Sequence, residues 1–243
     1  MIKFFRKIRY DLMEKNKTGK YVKYAIGEIL LVVIGILVAL QVNNWNQTRI
    51  ELNKEKQVLK SLKKELTENL IELNYDIKRV DSVYNNLNKL MKLLILGHSN
   101  NTNLDSLISF TLSTPTWNPS SYVLNDLKNS GKISQLTNLK LQEKLFTWER
   151  QYDNTIEYTQ DFRDSNDKYI DFLRDKASLR NFDVYTDPIK IQPSRIGFNS
   201  EDLLNNLQFE NYVDDRLITT SNLKTEYKEA QKIVEDLINS IEL

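Results

Sequence analysis

The stretch Tyr24-Ala-Ile-Gly-Glu-Ile-Leu-Leu-Val-Val-Ile-Gly-Ile-Leu-Val-Ala-Leu-Gln-Val-Asn-Asn-Trp45 holds a single charge, Glu28, in 22 residues. At 1.5 Å per helical residue it spans ~32 Å, which matches a hydrocarbon core of roughly 30 Å. Tyr21 and Tyr24 stand at one end and Trp45 at the other, where interfacial aromatics are expected. The reading is a single N-terminal transmembrane helix over residues 24–45. A cleaved signal peptide is the competing reading, but the basic region before the run is long and no A-x-A-like site follows it.

Charge on either side sets an orientation. Residues 1–23 carry eight basic side chains against Asp11 and Glu14, whereas the chain from Asn46 onward has 26 basic and 30 acidic residues. By the positive-inside rule the N-terminus stays in the cytoplasm and residues 46–243 are exported, which in a bacterium places them in the periplasm and the anchor in the inner membrane. Within 1–23, Ile2, Phe5, Ile8 and Leu12 recur at helical spacing among basic residues. This is the pattern of an amphipathic helix lying on anionic lipid, with Lys3, Arg6, Lys7 and Arg9 as headgroup contacts. Nucleic-acid binding is the weaker reading of a basic patch tethered this way.

Inside the apolar run, Glu28, Gly35 and Ala39 share one helix face at about 100° per residue, with Val32 between them. Gly35-x-x-x-Ala39 lets two helices approach closely, and a carboxyl in a membrane turns from lipid toward a partner. The readings of Glu28 stay open: a helix–helix interface or a proton- or cation-responsive site, or a carboxylate one turn inside the interface that snorkels toward Lys20 or Lys23.

Beyond the anchor, Gly and Pro are scarce, six and four in 243 residues. Stretches free of both run over Ile36–Leu96, Lys132–Asp187 and Phe198–Leu243. Turn-rich sandwiches, phosphate loops and dinucleotide folds need those residues, so long helices remain. After Trp45, Leu59, Leu62, Leu66, Leu70, Leu73, Ile77, Val80, Tyr84, Leu87, Met91 and Leu94 advance by threes and fours, and no breaker after Gly35 separates this seam from the anchor. Gly97 is a candidate C-cap. Short helices are expected over 104–112 and 120–130, around a Pro115–Trp117–Pro119 loop and ahead of Gly131.

A third long helix over about 134–178 has the seam Leu145, Trp148, Tyr152, Ile156, Thr159, Phe162, Tyr169 and Leu173, interrupted by Asn166. The segment 179–199 is a loop whose alternating Ile189 and Ile191 suggest a brief strand. The last helix is expected to be broken or bent early, with a clear end at Leu223, Tyr227, Ala230, Val234, Leu237 and Ile241. Helices with one apolar stripe each must pack together. The expected fold is all-α: one transmembrane helix followed by an elongated antiparallel bundle.

Chemistry is sparse. The chain has no Cys and one His, His98, which removes thiolate metal sites, disulfides and most His-based sites. Asp161, Asp164, Asp167 and Asp171 share a helix face but lack calcium-loop spacing and are interleaved with Arg163 and Lys168, so they are expected to be a solvated face. Runs such as Glu51–Lys56 and Lys60–Glu65 are expected to be exposed. Trp117, Trp148 and the tyrosines are expected in the core, with a ligand pocket between helices as the sharper alternative. No catalytic, cofactor-binding or metal-binding residue is assigned, and no enzyme motif is present.

The opening Met1-Ile-Lys-Phe-Phe-Arg-Lys-Ile-Arg9, the run from Lys23 to Asn46, and Leu127-Lys-Asn-Ser-Gly-Lys-Ile-Ser134 resemble a bacterial family of small single-pass membrane proteins known only as a domain of unknown function. The resemblance marks Glu28, Gly35, Asn43, Asn44 and Trp45 as a motif and implies no activity. The expected function is therefore a non-enzymatic scaffold or interaction component of a cell-envelope assembly. Its partners would be membrane lipid and either a second copy or another membrane protein, with no nucleic acid and no cofactor. The alternative is a periplasmic small-molecule sensor that signals through a membrane partner.

Overall fold

The computed structural model describes residues 6, 10, 18–99, 101–186 and 190–242, without the side chains of residues 18, 20 and 21. Among these residues every regular element is helical. Helix α1 covers Thr18–Leu96, α2 Leu104–Thr111, α3 Tyr122–Asn129, α4 Leu139–Lys176, α5 Leu179–Asp183 and α6 Leu207–Ser240. Short 3₁₀ turns occupy Lys132–Gln135 and Ser200–Asn205. The chain divides within α1 into two compact units, residues 1–58 and 59–243.

The second unit is built on one arithmetic. On α1 the positions Leu59, Leu62, Leu66, Asn69, Leu73, Asp76, Val80, Val83, Leu87, Leu90 and Leu94 advance strictly by three and four, and all are buried. On α6 the same steps run through Phe209, Val213, Arg216, Thr220, Leu223, Tyr227, Ala230, Val234 and Leu237. Strict 3-4 spacing keeps one stripe facing the partner helices along the whole contact. The stripe takes polar residues without slipping where those residues find partners inside.

Cross-links fix the directions. Lys63 Nζ donates to the Ile241 carbonyl (3.0 Å), Gln231 Nε2 to Asn74 Oδ1 (2.5 Å), and Lys224 Nζ lies 2.7 Å from Asp81 Oδ1. As numbers rise on α1 they fall on α6, so the two are antiparallel. Lys144 against Asp236 (2.7 Å), Gln151 against Glu226 (2.8 Å) and the rings of Tyr169 and Phe209 (6.0 Å) show the same for α4 and α6. Helix α6 thus runs opposite to both others, and the bundle portion of α1 and α4 run parallel. A parallel pair needs a long return, and residues 97–138 supply it.

Caps delimit the elements. Gly97 (φ 72°) closes α1 with its N–H on the Leu93 carbonyl (2.8 Å), and Gly131 (φ 68°) follows α3. Asn103, Asn138 and Asn206 cap α2, α4 and α6, each accepting the N–H three residues on.

Several expectations need adjustment. Helix α4 begins at Leu139, not near Ser134. Its stripe uses Thr155 (2% exposed), while Ile156 is 44% exposed. The stripe on α1 passes through Asn69 and Asp76, and Leu70, Tyr84 and Met91 flank it. Helix α6 is unbroken from Leu207, because Arg216 and Thr220 are buried heptad positions and not interruptions. Ile191 is not in a strand, and Ile189 lies outside the described residues. Glu65 is not on an exposed face; it is 8% exposed.

The register is testable by paired substitutions. Leu87→Ala, at 0% exposure, should cost about 2–5 kcal/mol in urea unfolding of the helical unit. Ile71→Ala, at 65% exposure, should stay within about 0.5 kcal/mol. Equal effects would contradict the stripe.

Candidate functional site

In the first unit the apolar part of α1 is open on every side. Thirteen aliphatic side chains between Val22 and Val42 are exposed, from 44% (Val33) to 63% (Ile29). Half of a side chain's ~2 kcal/mol of burial, lost thirteen times, is on the order of 10 kcal/mol. That equals the entire stability of an ordinary domain. The helix contains an 18-residue window of mean hydropathy 2.5, none of it buried, and is long and apolar enough to cross a membrane.

Glu28, Val32, Gly35 and Ala39 lie along this helix. Val32 is 57% exposed, and a Cβ built on Gly35 would meet nothing within 4 Å. Of the interfacial anchors, Tyr24 (56%) and Trp45 (65%) are exposed, with the Arg49 guanidinium 5.7 Å from the Trp45 ring. The side chain of Tyr21 is not described. Arg6 is helical and exposed, while Lys3, Lys7 and Arg9 lie outside the described residues.

The second unit has a polar interior. Glu65 on α1 accepts the backbone N–H of Val123 (2.9 Å) and Leu124 (3.4 Å) and the hydroxyl of Ser120 (3.2 Å). It caps α3, whose own N-cap residue, Ser121, makes no side-chain cap bond. One turn on, Asn69 Nδ2 donates to the Ser120 carbonyl (2.7 Å) and its Oδ1 accepts the Ser120 N–H (2.8 Å). Trp117 is held by its indole N–H on the Asn69 carbonyl (3.1 Å) and its backbone N–H on the Tyr227 hydroxyl (2.9 Å). The Trp117 ring packs on Trp148 (5.9 Å) and Tyr227 (6.2 Å). These aromatics fill the core against one another.

Arg216, fully buried on α6, anchors the other end of this segment. Its Nη1 donates to the Phe162 carbonyl (2.7 Å) and its Nη2 to the Ser113 carbonyl (3.0 Å), with the guanidinium 3.8 Å from the Phe162 ring centroid. Burial pushes its pKa from the usual 12.5 down to about 9, so it stays a cation at neutral pH. Burial likewise pushes the Tyr169 and Tyr227 phenols up.

Asp161, Asp164, Asp167 and Asp171 are exposed; Asp164 accepts from Gln160 (2.6 Å) and Asp171 pairs with Arg174. His98 is exposed beyond the end of α1. Among the described residues no group of three or more His, Asp or Glu is placed to hold a metal ion. Glu65 falls on a run expected to be exposed, and neither Asn69 nor Arg216 is singled out by the sequence. The strict 3-4 count from Leu59 would have placed Asn69 inside, and the same count back from Tyr227 would have placed Arg216.

Fold and site together define an all-α protein with one N-terminal helix able to span a membrane. The chain belongs to a family of unknown function, DUF6090, whose model matches residues 28–170. The match begins at Glu28 and ends within α4. No curated protein and no solved structure matches the chain.

Two predictions test the polar interior. Asn69→Ala strands both the N–H and the carbonyl of Ser120, so it should cost about 2–4 kcal/mol and shift Trp117 fluorescence to the red. Unchanged emission would mean that the loop is held without Asn69. The second is alkaline. A phenol whose folded pKa is raised above its unfolded value of about 10 contributes stability that is whole below pH 10 and is lost as pH climbs toward the folded value. Urea midpoints should therefore fall above pH 10, and Tyr227→Phe should flatten that decline while losing about 1 kcal/mol at neutral pH.

Proposed function

We propose that this protein is a non-enzymatic, single-pass component of the bacterial inner membrane that carries a periplasmic helical domain and works through protein–protein contact. One observation carries the reading: thirteen aliphatic side chains exposed around the whole circumference of α1, an arrangement that lipid tolerates and water does not. The basic side chains ahead of the span put the N-terminus in the cytoplasm.

Within the span, contact forms along the face of Glu28, Val32, Gly35 and Ala39. Gly35 has open space where a side chain would stand, so a second helix backbone can come close there. A carboxyl at Glu28, near the basic end of the span, then meets either its counterpart or a polar group of the neighbouring helix. The helical unit presents a folded surface to an envelope partner.

The full-length chain in mild detergent should associate, and in-cell crosslinking should recover either a second copy or a membrane protein. Gly35→Leu should weaken that association by about tenfold, or 1.4 kcal/mol. Glu28→Gln should change it in the same direction. A monomeric mass by light scattering, insensitive to both substitutions and with no crosslinked partner, would overturn the proposal.

A further inference from the structure

A groove of about 490 Å³ opens on the helical unit between α1, α2 and α5. Its volume falls within the ~300–1,000 Å³ of small-molecule sites, and its walls combine apolar surface with a few convergent polar groups. Val83, buried at 1% exposure, and Ile170 contribute apolar wall, and Phe110 is left 44% exposed beside them. The wall is braced: the buried Ser109 hydroxyl donates to the Phe182 carbonyl (2.6 Å) and ties α2 to α5. A braced wall lowers the ordering cost of binding.

Two opposite charges line the same groove. Arg79 is oriented by its own helix, with Nη1 on Asp76 Oδ1 (2.9 Å) and the guanidinium 5.6 Å from the Tyr75 ring centroid. Its side chain is 42% exposed, and one of five guanidinium donors is used. The remaining fork suits a carboxylate. Asp183, on α5, lines the groove with a carboxylate that no other described side chain engages. Ser82 and Ser113 line the groove as well. Behind the wall Arg216 donates to the Ser113 carbonyl, adding fixed positive charge on that side.

The charge arrangement decides the ligand class. A simple anion that meets Arg79 is repelled by Asp183, and a simple cation that meets Asp183 is repelled by Arg79. A molecule carrying both charges close together satisfies both, and the apolar wall takes what is left. We propose that this groove is a binding site for a small amphipathic zwitterion, a free α-amino acid with an aliphatic or aromatic side chain. Its carboxylate sits on Arg79, its ammonium on Asp183 and its side chain against Phe110 and Ile170. The site lies wholly within the helical unit and stands independently of the intramembrane contact, so either can fail without the other.

Calorimetric titration of the full-length chain in detergent tests it, with leucine and phenylalanine as probes. Two pairs of analogues accompany them: 3-methylbutylamine and 2-phenylethylamine lack the carboxylate, and 4-methylpentanoate and 3-phenylpropanoate lack the ammonium. Saturable binding of at least one amino acid is expected, weakened at least about tenfold in each analogue that lacks a charge. Arg79→Gln and Asp183→Asn should each weaken it to a similar degree. Ser82→Trp, at an exposed helical position, should block the groove while leaving helicity and melting temperature unchanged. No saturable binding into the millimolar range would overturn the proposal. So would binding that single-charge analogues match, or that survives all three substitutions.

Discussion

The segment Ser113–Ser121 packs Pro115, Trp117 and Pro119 against the helical bundle while Thr114, Asn118 and Ser120 stay exposed, and its inward-facing backbone polar groups must find partners there. An unpaired buried amide costs more than most single contacts contribute, so this requirement outranks local helix preference in choosing which side chains face inward. Two helices, α1 and α6, answer it. Arg216 takes the Ser113 carbonyl, Tyr227 the Trp117 N–H, Asn69 both backbone groups of Ser120, and Glu65 the open end of α3. Each of these side chains except Glu65 occupies a heptad core position. The loop therefore dictates where the core is polar, and the polar positions hold α1, α4 and α6 in one register.

The two units differ in how far protein buries their apolar side chains. In residues 59–243 apolar side chains are buried by neighbouring helices, and Glu65, Asn69, Arg216 and Tyr227 inside are held by specific hydrogen bonds. In residues 1–58 the described apolar side chains have no protein neighbours to bury them, and a hydrocarbon surrounding is the one that removes the penalty. Function divides the same way. The proposed contact along the apolar part of α1 uses small residues and one carboxyl, while the proposed site in the helical unit uses a braced groove with a charge of each sign. The two features call on different chemistry and need not serve the same partner.

Much of the fold was legible because hydrophobic period and chain breakers are local properties. The apolar stretch of α1, the glycine caps at Gly97 and Gly131, the two short helices and the C-terminal ends of the long ones follow from spacing alone. Errors arose where an apolar residue stood next to a polar heptad position. Counting Leu70 in place of Asn69, or Ile156 in place of Thr155, follows hydrophobicity and departs from the buried stripe. Arg216 likewise stands at a core position of the unbroken α6, a place that a lone arginine takes only because carbonyl partners meet it inside.

By itself the sequence determined that the chain is helical, that one helix is apolar enough for a membrane, and that no thiolate or His-cluster metal chemistry is available. These are matters of composition and period, set by the backbone's own geometry and by water's exclusion of apolar surface. Only the tertiary structure decided which backbone groups Glu65, Asn69 and Arg216 pair with inside, that α6 runs against two parallel helices, and that Arg79 and Asp183 share one groove. Each of these depends on residues far apart in the chain, 104 positions in the case of Arg79 and Asp183. Such pairings leave no periodic trace, because the partner that makes a buried charge tolerable is chosen by packing and not by neighbours in sequence.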